Sequence, residues 1–178
     1  MRSLAAAMLV ERFDALESTP DCPWANLGIG FGKFLLSGSR EALMLRATAN
    51  SAAEARRALT TFYTELYRAA VHGFTATELQ RAKQSERAEI DSRMAKASVE
   101  SNTELARRFV RHFIRGGVLP STEQYFKMMA GVERNTSVDD VNRYFASLAF
   151  TDGRNRVTSV YAAPDDADAL TADILRAD

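Results

Sequence analysis

Residues 72–83, which read His-Gly-Phe-Thr-Ala-Thr-Glu-Leu-Gln-Arg-Ala-Lys, close one amphipathic helix and open another. Gly73 stands where a helix ends on a residue with a left-handed backbone. Thr75 and Glu78 have the spacing of a capping box, in which each side chain satisfies a backbone N–H of the other. Phe74 and Leu79 have the spacing of the accompanying hydrophobic staple. This run therefore predicts a sharp boundary between two long helices.

Apolar residues at helical spacing predict the remaining helices. Leu4, Met8, Leu9, Phe13 and Leu16 form one stripe of a first helix. Ser121 with Gln124, and Ser137 with Asp140, are further capping boxes that begin two shorter helices. The predicted helices cover residues 3–17, 52–72, 76–96 and 99–116, with a break near Ser98, and continue as short helices after 121 and 137. The residues expected to face inward from helix 52–72 are Ala55, Leu59, Phe62, Tyr63, Leu66, Tyr67, Ala70 and Val71. Those expected to face inward from the helix after 137 are Val141, Tyr144, Phe145 and Leu148.

Alternation with a period of two predicts strands between the first two helices. Leu27, Ile29 and Phe31 point to one face, while Gly28, Gly30 and Gly32 occupy the other. Residues 37–40 are typical of a turn, and 42–48 form the returning strand. We also expect a strand over 155–161, ended by Pro164, and a last helix beginning near Asp165 and Asp166. The fold class is therefore α+β: an antiparallel sheet with a layer of helices on one face, in a single domain spanning 1–178.

The glycine face of the hairpin leaves room for something to approach closely. A packed helix and an extended polypeptide are both compatible with it, and helix packing is the more common use. Gly28, Gly30 and Gly32 are nevertheless the candidate substrate-facing residues of the chain.

The composition argues against several classes of function. Twenty-three basic residues balance twenty-three acidic ones in 178 residues, so no global field attracts nucleic acid or a membrane. The single cysteine, Cys22, excludes an internal disulfide. His72 and His112 are distant in sequence and belong to no zinc motif, so we expect no metal ligands. No serine nucleophile elbow is present, and Leu27, Lys33 and Phe34 break the phosphate-loop and dinucleotide patterns near the glycines. We therefore expect no catalytic residue in this chain.

The residues after 100 form a strongly amphipathic pattern. Arg107, Arg108, Arg111 and Arg115 share one side of a helix whose other side holds Leu105, Phe109, Val110, Phe113 and Ile114. A solvated polar face is the ordinary interpretation of such arginines. A docking face for another domain, or for an acidic partner or nucleic acid, is the alternative.

Several segments resemble the pitrilysin/insulinase family of zinc metallopeptidases. Residues 73–83 match the family's helix–Gly-Phe-Thr-x-x-Glu-Leu-x-Arg-Ala-Lys junction most closely. Residues 8–16 are similar to its helix around an Arg-Leu element, and Pro23-Trp24-Ala25 before the glycine-rich strand resembles the entry seen in bacterial members. Residues 136–142 resemble its acidic-acidic-Val-Asn helix, and 155–164 its closing strand. The resemblance spans nearly the entire chain.

This resemblance implies the non-catalytic, second type of domain from a half-molecule of such a peptidase, with its first strands missing. The family's zinc motif, His-x-x-Glu-His, lies in another domain and is absent here, so zinc would belong to the missing catalytic domain. Family members carry an Arg and a Tyr that assist at the scissile carbonyl, whereas the comparable positions here hold Ser18 and Ala25. The implied role is to shape the substrate chamber without activity alone. The implied partners are other domains of the peptidase and peptide substrate, with no nucleic acid and no membrane.

Two alternatives remain open at this point. One is a structural or assembly subunit of the same fold that has lost catalysis, which a parent gene encoding His-x-x-Glu-His upstream would exclude. The other is a binding module that uses the arginine face, which salt-dependent retention on heparin or DNA would support. The resemblance leaves the compartment open between bacterial periplasm and cytoplasm.

Overall fold

The computed structural model describes residues 1–33, 41–96, 101–115, 119–148 and 156–166. The helices are α1 (Arg2–Glu17), α2 (Ala52–His72), α3 (Ala76–Lys96), α4 (Asn102–Arg115), α5 (Thr122–Asn135) and α6 (Val138–Ala146). The strands are β1 (Trp24–Lys33) and β2 (Glu41–Ala49). The predicted turn over 37–40, the break near Ser98 and the end of α4 beyond 115 lie outside the described residues.

The hairpin has the alternation that the sequence predicts. β1 and β2 pair antiparallel, with Ile29 opposite Leu45 and Gly30 opposite Met44. Leu27, Ile29 and Phe31 pack against the core, together with Leu43, Leu45 and Ala47 of the partner strand. All the described helices that contact this sheet cover that one apolar face. The α+β class, with helices layered on an antiparallel sheet, is therefore confirmed.

Helix α1 lies at the centre of the core. Leu4, Met8, Leu9 and Phe13 have almost no exposed surface, which confirms the predicted stripe. Phe13 makes edge-on contacts with Trp24 of β1 and Phe62 of α2, at ring-centroid distances of 6.0 and 5.6 Å. Each buried aromatic ring of this kind removes a large apolar area from water. This cluster joins α1, the hairpin and α2 into one unit.

The apolar face of α2 largely follows the prediction, with two exceptions. Phe62 and Leu66 are buried as expected, together with Glu65 and two alanines of α2. Tyr67 and Val71 are instead about half exposed. The predicted stripe is therefore broader than the strip of α2 that the described fold covers.

The capping signals are confirmed. Ser121 with Gln124 and Ser137 with Asp140 form reciprocal capping boxes at α5 and α6. Val141 and Phe145 of α6 are fully buried, and Tyr144 and Leu148 pack at the edge of the core. Because each box satisfies two otherwise unpaired N–H groups, it fixes where its helix begins.

The predicted strand over 155–161 is wrong for its described part. Residues 156–163 form no strand, and 164–166 form a single 3₁₀ turn where the last helix was expected to begin. Val157 and Tyr161 are largely exposed. A strand requires a neighbour to satisfy its backbone, and no described strand lies alongside this segment. Two contacts with Tyr63 anchor it: a hydrogen bond with Thr158, and the guanidinium of Arg156 over the ring.

Candidate functional site

The junction between α2 and α3 is held by a side chain from α1. Arg12 donates from Nε to Glu78 Oε1 at 2.6 Å and from Nη2 to the carbonyl oxygen of Gly73 at 2.8 Å. Its guanidinium also lies over the ring of Phe74, 4.6 Å from the centroid. One arginine therefore contacts the glycine of the turn, the aromatic ring after it and the first turn of α3. Charge-assisted bonds of this kind are stronger than neutral ones.

Glu78 is the most perturbed acid at this junction. Thr75 donates to its Oε2 from the backbone N–H at 2.7 Å and from the hydroxyl at 2.9 Å. Burial by itself raises the pKa of Glu78, but the hydrogen bonds from Arg12 and Thr75 outweigh it and lower the pKa to about 2. The carboxylate therefore stays charged across the physiological range, which suits a structural partner of Arg12 and does not suit a proton donor.

A second distant side chain closes the same turn. Asn142 of α6 accepts from the N–H of Phe74 at 2.7 Å and donates to the carbonyl oxygen of Phe74 at 3.1 Å. Gly73 has φ +73° and ψ −171°. The positive φ is as expected, but the ψ value lies outside the left-handed helical region and in one that glycine alone adopts readily. A Cβ at Gly73 would meet the Asn142 side chain at 2.8 Å.

An open depression of about 530 Å³ lies over this junction. Arginines 12, 68 and 81 line it, and each has a carboxylate partner. Arg68 pairs with Glu65 at 2.7 Å, Arg81 pairs with Glu11, and Arg12 pairs with Glu78. Because these charges are already neutralised, none of the three arginines is left unpaired for an anionic ligand.

The glycines of β1 form an open surface on the side of the sheet away from the core. Apart from its chain neighbours, no described atom lies within 4 Å of where a Cβ at Gly30 would be, and at Gly28 the carbonyl oxygen of Arg46 is the one described atom that comes that near. At Gly32 the end of the flexible Met44 side chain is at 2.7 Å. Within the described residues, no helix packs on this face, so the expected helix-packing use of the glycines is not found there.

The other candidate residues are scattered. His72 ends α2 beside the junction, His112 is exposed on α4, and Cys22 is partly buried with its thiol 3.3 Å from the carbonyl oxygen of Trp24. Among the described residues, no three His, Cys, Asp or Glu side chains are grouped to hold a metal ion. In that same part of the chain, no helix is both long and apolar enough to cross a bilayer.

The two positions compared with the family's Arg and Tyr have local roles. Ser18 is the C-terminal cap of α1, and its hydroxyl donates to the carbonyl oxygen of Asp14 at 2.9 Å. Ala25 lies at the start of β1 and is exposed. Neither side chain is positioned by a hydrogen-bond network of the kind that supports a catalytic donor.

Two solved proteases share this fold. One is described as a predicted insulinase family protease from Yersinia pestis: TM-score 0.66, 17% identity, covering 83% of this chain and 31% of that chain. The other is the periplasmic protease PqqL from Escherichia coli: TM-score 0.66, 15% identity, covering 92% of this chain and 21% of that chain. No protein-family model matches the sequence, and a comparison with curated proteins gives no match.

At these identities the likeness shows the fold alone. The chain spans about a third of one protease and a fifth of the other, so it corresponds to a part of each. Three segments that carry the sequence resemblance also meet in space, since Arg12, the 73–83 run and Asn142 form a single hydrogen-bonded junction. Sequence reasoning identified the three segments separately but did not bring them together.

Proposed function

We propose that this chain is a non-catalytic domain of a zinc metallopeptidase of the insulinase type, which shapes the substrate chamber and is inactive alone. The observation that carries the proposal is the match of 92% of this chain to only 21% of a solved protease. A domain of this size can supply a wall that admits extended peptide and excludes folded protein. Zinc and its ligands would belong to the rest of the peptidase.

The hairpin is the part of the domain that we assign to peptide. In the described sheet β1 and β2 each have one neighbour, so each strand also has an edge that pairs with no described strand. An extended peptide can add to such an edge through main-chain hydrogen bonds. Its side chains would then lie beside Gly28 and Gly30, where no described side chain of this protein competes for the space.

The test adds a side chain to this open face. A Cβ at Gly30 would meet no described atom within 4 Å, and valine favours strand geometry, so we expect Gly30→Val to leave the melting temperature unchanged or slightly higher. Binding of fluorescein-labelled casein, an unfolded protein, should change at least about threefold, because the valine side chain would become a direct cross-strand neighbour of the peptide's side chains. Fluorescence anisotropy measures the binding.

Gly131→Val is the matched control. Gly131 lies in α5, which packs against α3, and a Cβ added there would also have no described atom within 4 Å. We expect it to leave casein binding unchanged. Equal casein binding by the wild type and Gly30→Val would overturn the assignment of peptide to the glycine face.

A further inference from the structure

Helix α4 exposes the side that a helix normally buries. Its apolar residues recur three and four positions apart and therefore share one side. Phe113 is 89% exposed and Ile114 is 72% exposed. Leu105, Phe109 and Val110 are also among the exposed large apolar residues. Soluble proteins seldom leave such a set uncovered unless it meets a partner.

The described attachments of α4 to the rest of the fold are few. Arg108 donates from Nη2 to the carbonyl oxygen of Pro120 at 2.7 Å, which ties α4 to the residues that follow it. Helix α5, by contrast, is tied to α3 by Arg87 with Glu133 at 3.5 Å and by Lys83 with the carbonyl oxygen of Thr136 at 2.7 Å. A helix of 14 residues is marginal without tertiary packing. Contact along the apolar side would therefore stabilise α4.

Charge restricts what can cover this helix. Arg107 is exposed, and within the described residues no carboxylate pairs with it. Arg111 and Arg115 follow at four-residue spacing in the sequence. A second copy packed through α4 would bring the same arginines together, which is unfavourable. Anionic lipid is also disfavoured, because the chain carries no net charge that would attract it to a negative membrane surface.

We propose that α4 docks on another domain of the peptidase, through an apolar polypeptide surface bordered by aspartate and glutamate. This inference rests on the proposed function, and it names the face through which the domain joins the remainder of the enzyme. The two proteases that share the fold extend far beyond the matched part, since the chain covers 31% and 21% of them. Apolar contact would supply the affinity, and the arginines would select the acidic border.

The experiment uses a fluorescent amphipathic helical peptide, with leucines on one face and glutamates on both flanks, and a second peptide with lysines in place of the glutamates. The chain should bind the glutamate peptide at least about tenfold more tightly than the lysine peptide, with the preference falling as salt is raised. Phe113→Ser and Ile114→Ser should each weaken binding by about tenfold or more, and Arg107→Glu should reduce the preference for the glutamate peptide.

Tyr161→Ser is the matched control, since it removes an aromatic side chain that is 95% exposed outside α4, and it should change nothing. Circular dichroism checks that each variant keeps its helices. Three results would overturn the proposal: no preference between the peptides, a chain dimer that Phe113→Ser dissociates, or sedimentation with phosphatidylglycerol vesicles that Phe113→Ser abolishes. Gly30→Val leaves α4 untouched, so failure of the casein test and failure of the peptide test are distinguishable.

Discussion

At the scale of single residues, Arg12 and Asn142 have the widest structural effect. Each reaches the turn at Gly73 and Phe74 from a different helix, at sequence separations of more than sixty residues. Their bonds satisfy backbone groups of a turn that would otherwise be left without partners. The turn therefore fixes the relative positions of α1, α2, α3 and α6. This arrangement requires the conformation of Gly73.

Glu78 makes the stability of the fold depend on pH. Its pKa falls from 4.5 in the unfolded chain to about 2 in the fold, so the stabilisation is fully present above pH 4.5 and is lost as pH decreases toward 2. Glu78→Gln should lower the free energy of unfolding by on the order of 2 kcal/mol at pH 7 and flatten its decline between pH 4.5 and 2. Urea unfolding at several pH values measures both effects.

Glu89→Gln serves as the control for Glu78→Gln, because Glu89 pairs with Arg93 at 2.6 Å on the exposed surface of α3. Exposed pairs of this kind contribute little. If the two variants lost the same stability at pH 7, the special role of the Arg12–Glu78 pair would be disproved.

Gly73→Val tests the turn itself. Valine is strained at φ +73°, and its Cβ would displace the side chain of Asn142 from Phe74. We expect a loss of about 1–3 kcal/mol from backbone strain, and more if the Asn142 bonds break. Thermal unfolding measures the loss, with Gly30→Val as a strand glycine that should tolerate the same change. An unchanged melting temperature for Gly73→Val would contradict the geometry of the turn.

At the scale of elements, the sequence predicts what local signals determine. The bounds of α2 and α3, the capping boxes of α5 and α6, and the inward face of the hairpin all follow from residues within a few positions of each other. Where an element depends on distant residues, the prediction fails or is incomplete. Residues 156–161 have strand propensity but no described neighbouring strand, and Tyr67 and Val71 lie on a side of α2 that nothing in the described fold covers.

The features of the candidate site are likewise predicted where they are local and missed where they depend on distant residues. The glycine alternation predicts a face of β1 without side chains, because alternation is a property of the strand alone, but it does not predict whether a helix covers that face. The meeting of Arg12 and Asn142 at the junction could not be predicted, because it requires the packing of α1 against α3 and of α6 against α2. The exposure of the apolar side of α4 could not be inferred from its amphipathic pattern either, because that pattern is the same for a buried helix and for one that awaits a partner.

At the scale of the whole molecule, the described residues do not bring together the ligands of a catalytic zinc. A catalytic zinc needs three protein ligands and an open position. His72 lies at the end of α2 and His112 lies on α4, two elements that belong to different parts of the fold. Glu78, the acid closest to His72 in sequence, is already bound by Arg12 and Thr75. Using it as a metal ligand would break the junction that organises the core.

We therefore expect the isolated chain to retain far less than one zinc ion per molecule after dialysis, and to leave labelled casein intact. Metal analysis and gel electrophoresis measure the two outcomes. Comparing the wild type with a His72→Ala, His112→Ala double variant distinguishes weak binding of zinc at the surface from binding at an ordered site. The double variant should reduce the weak binding. Stoichiometric zinc that survives dialysis in the wild type and is lost in the double variant would mean that the two helices meet around a metal, and the chain would then be a candidate catalytic domain instead of a wall.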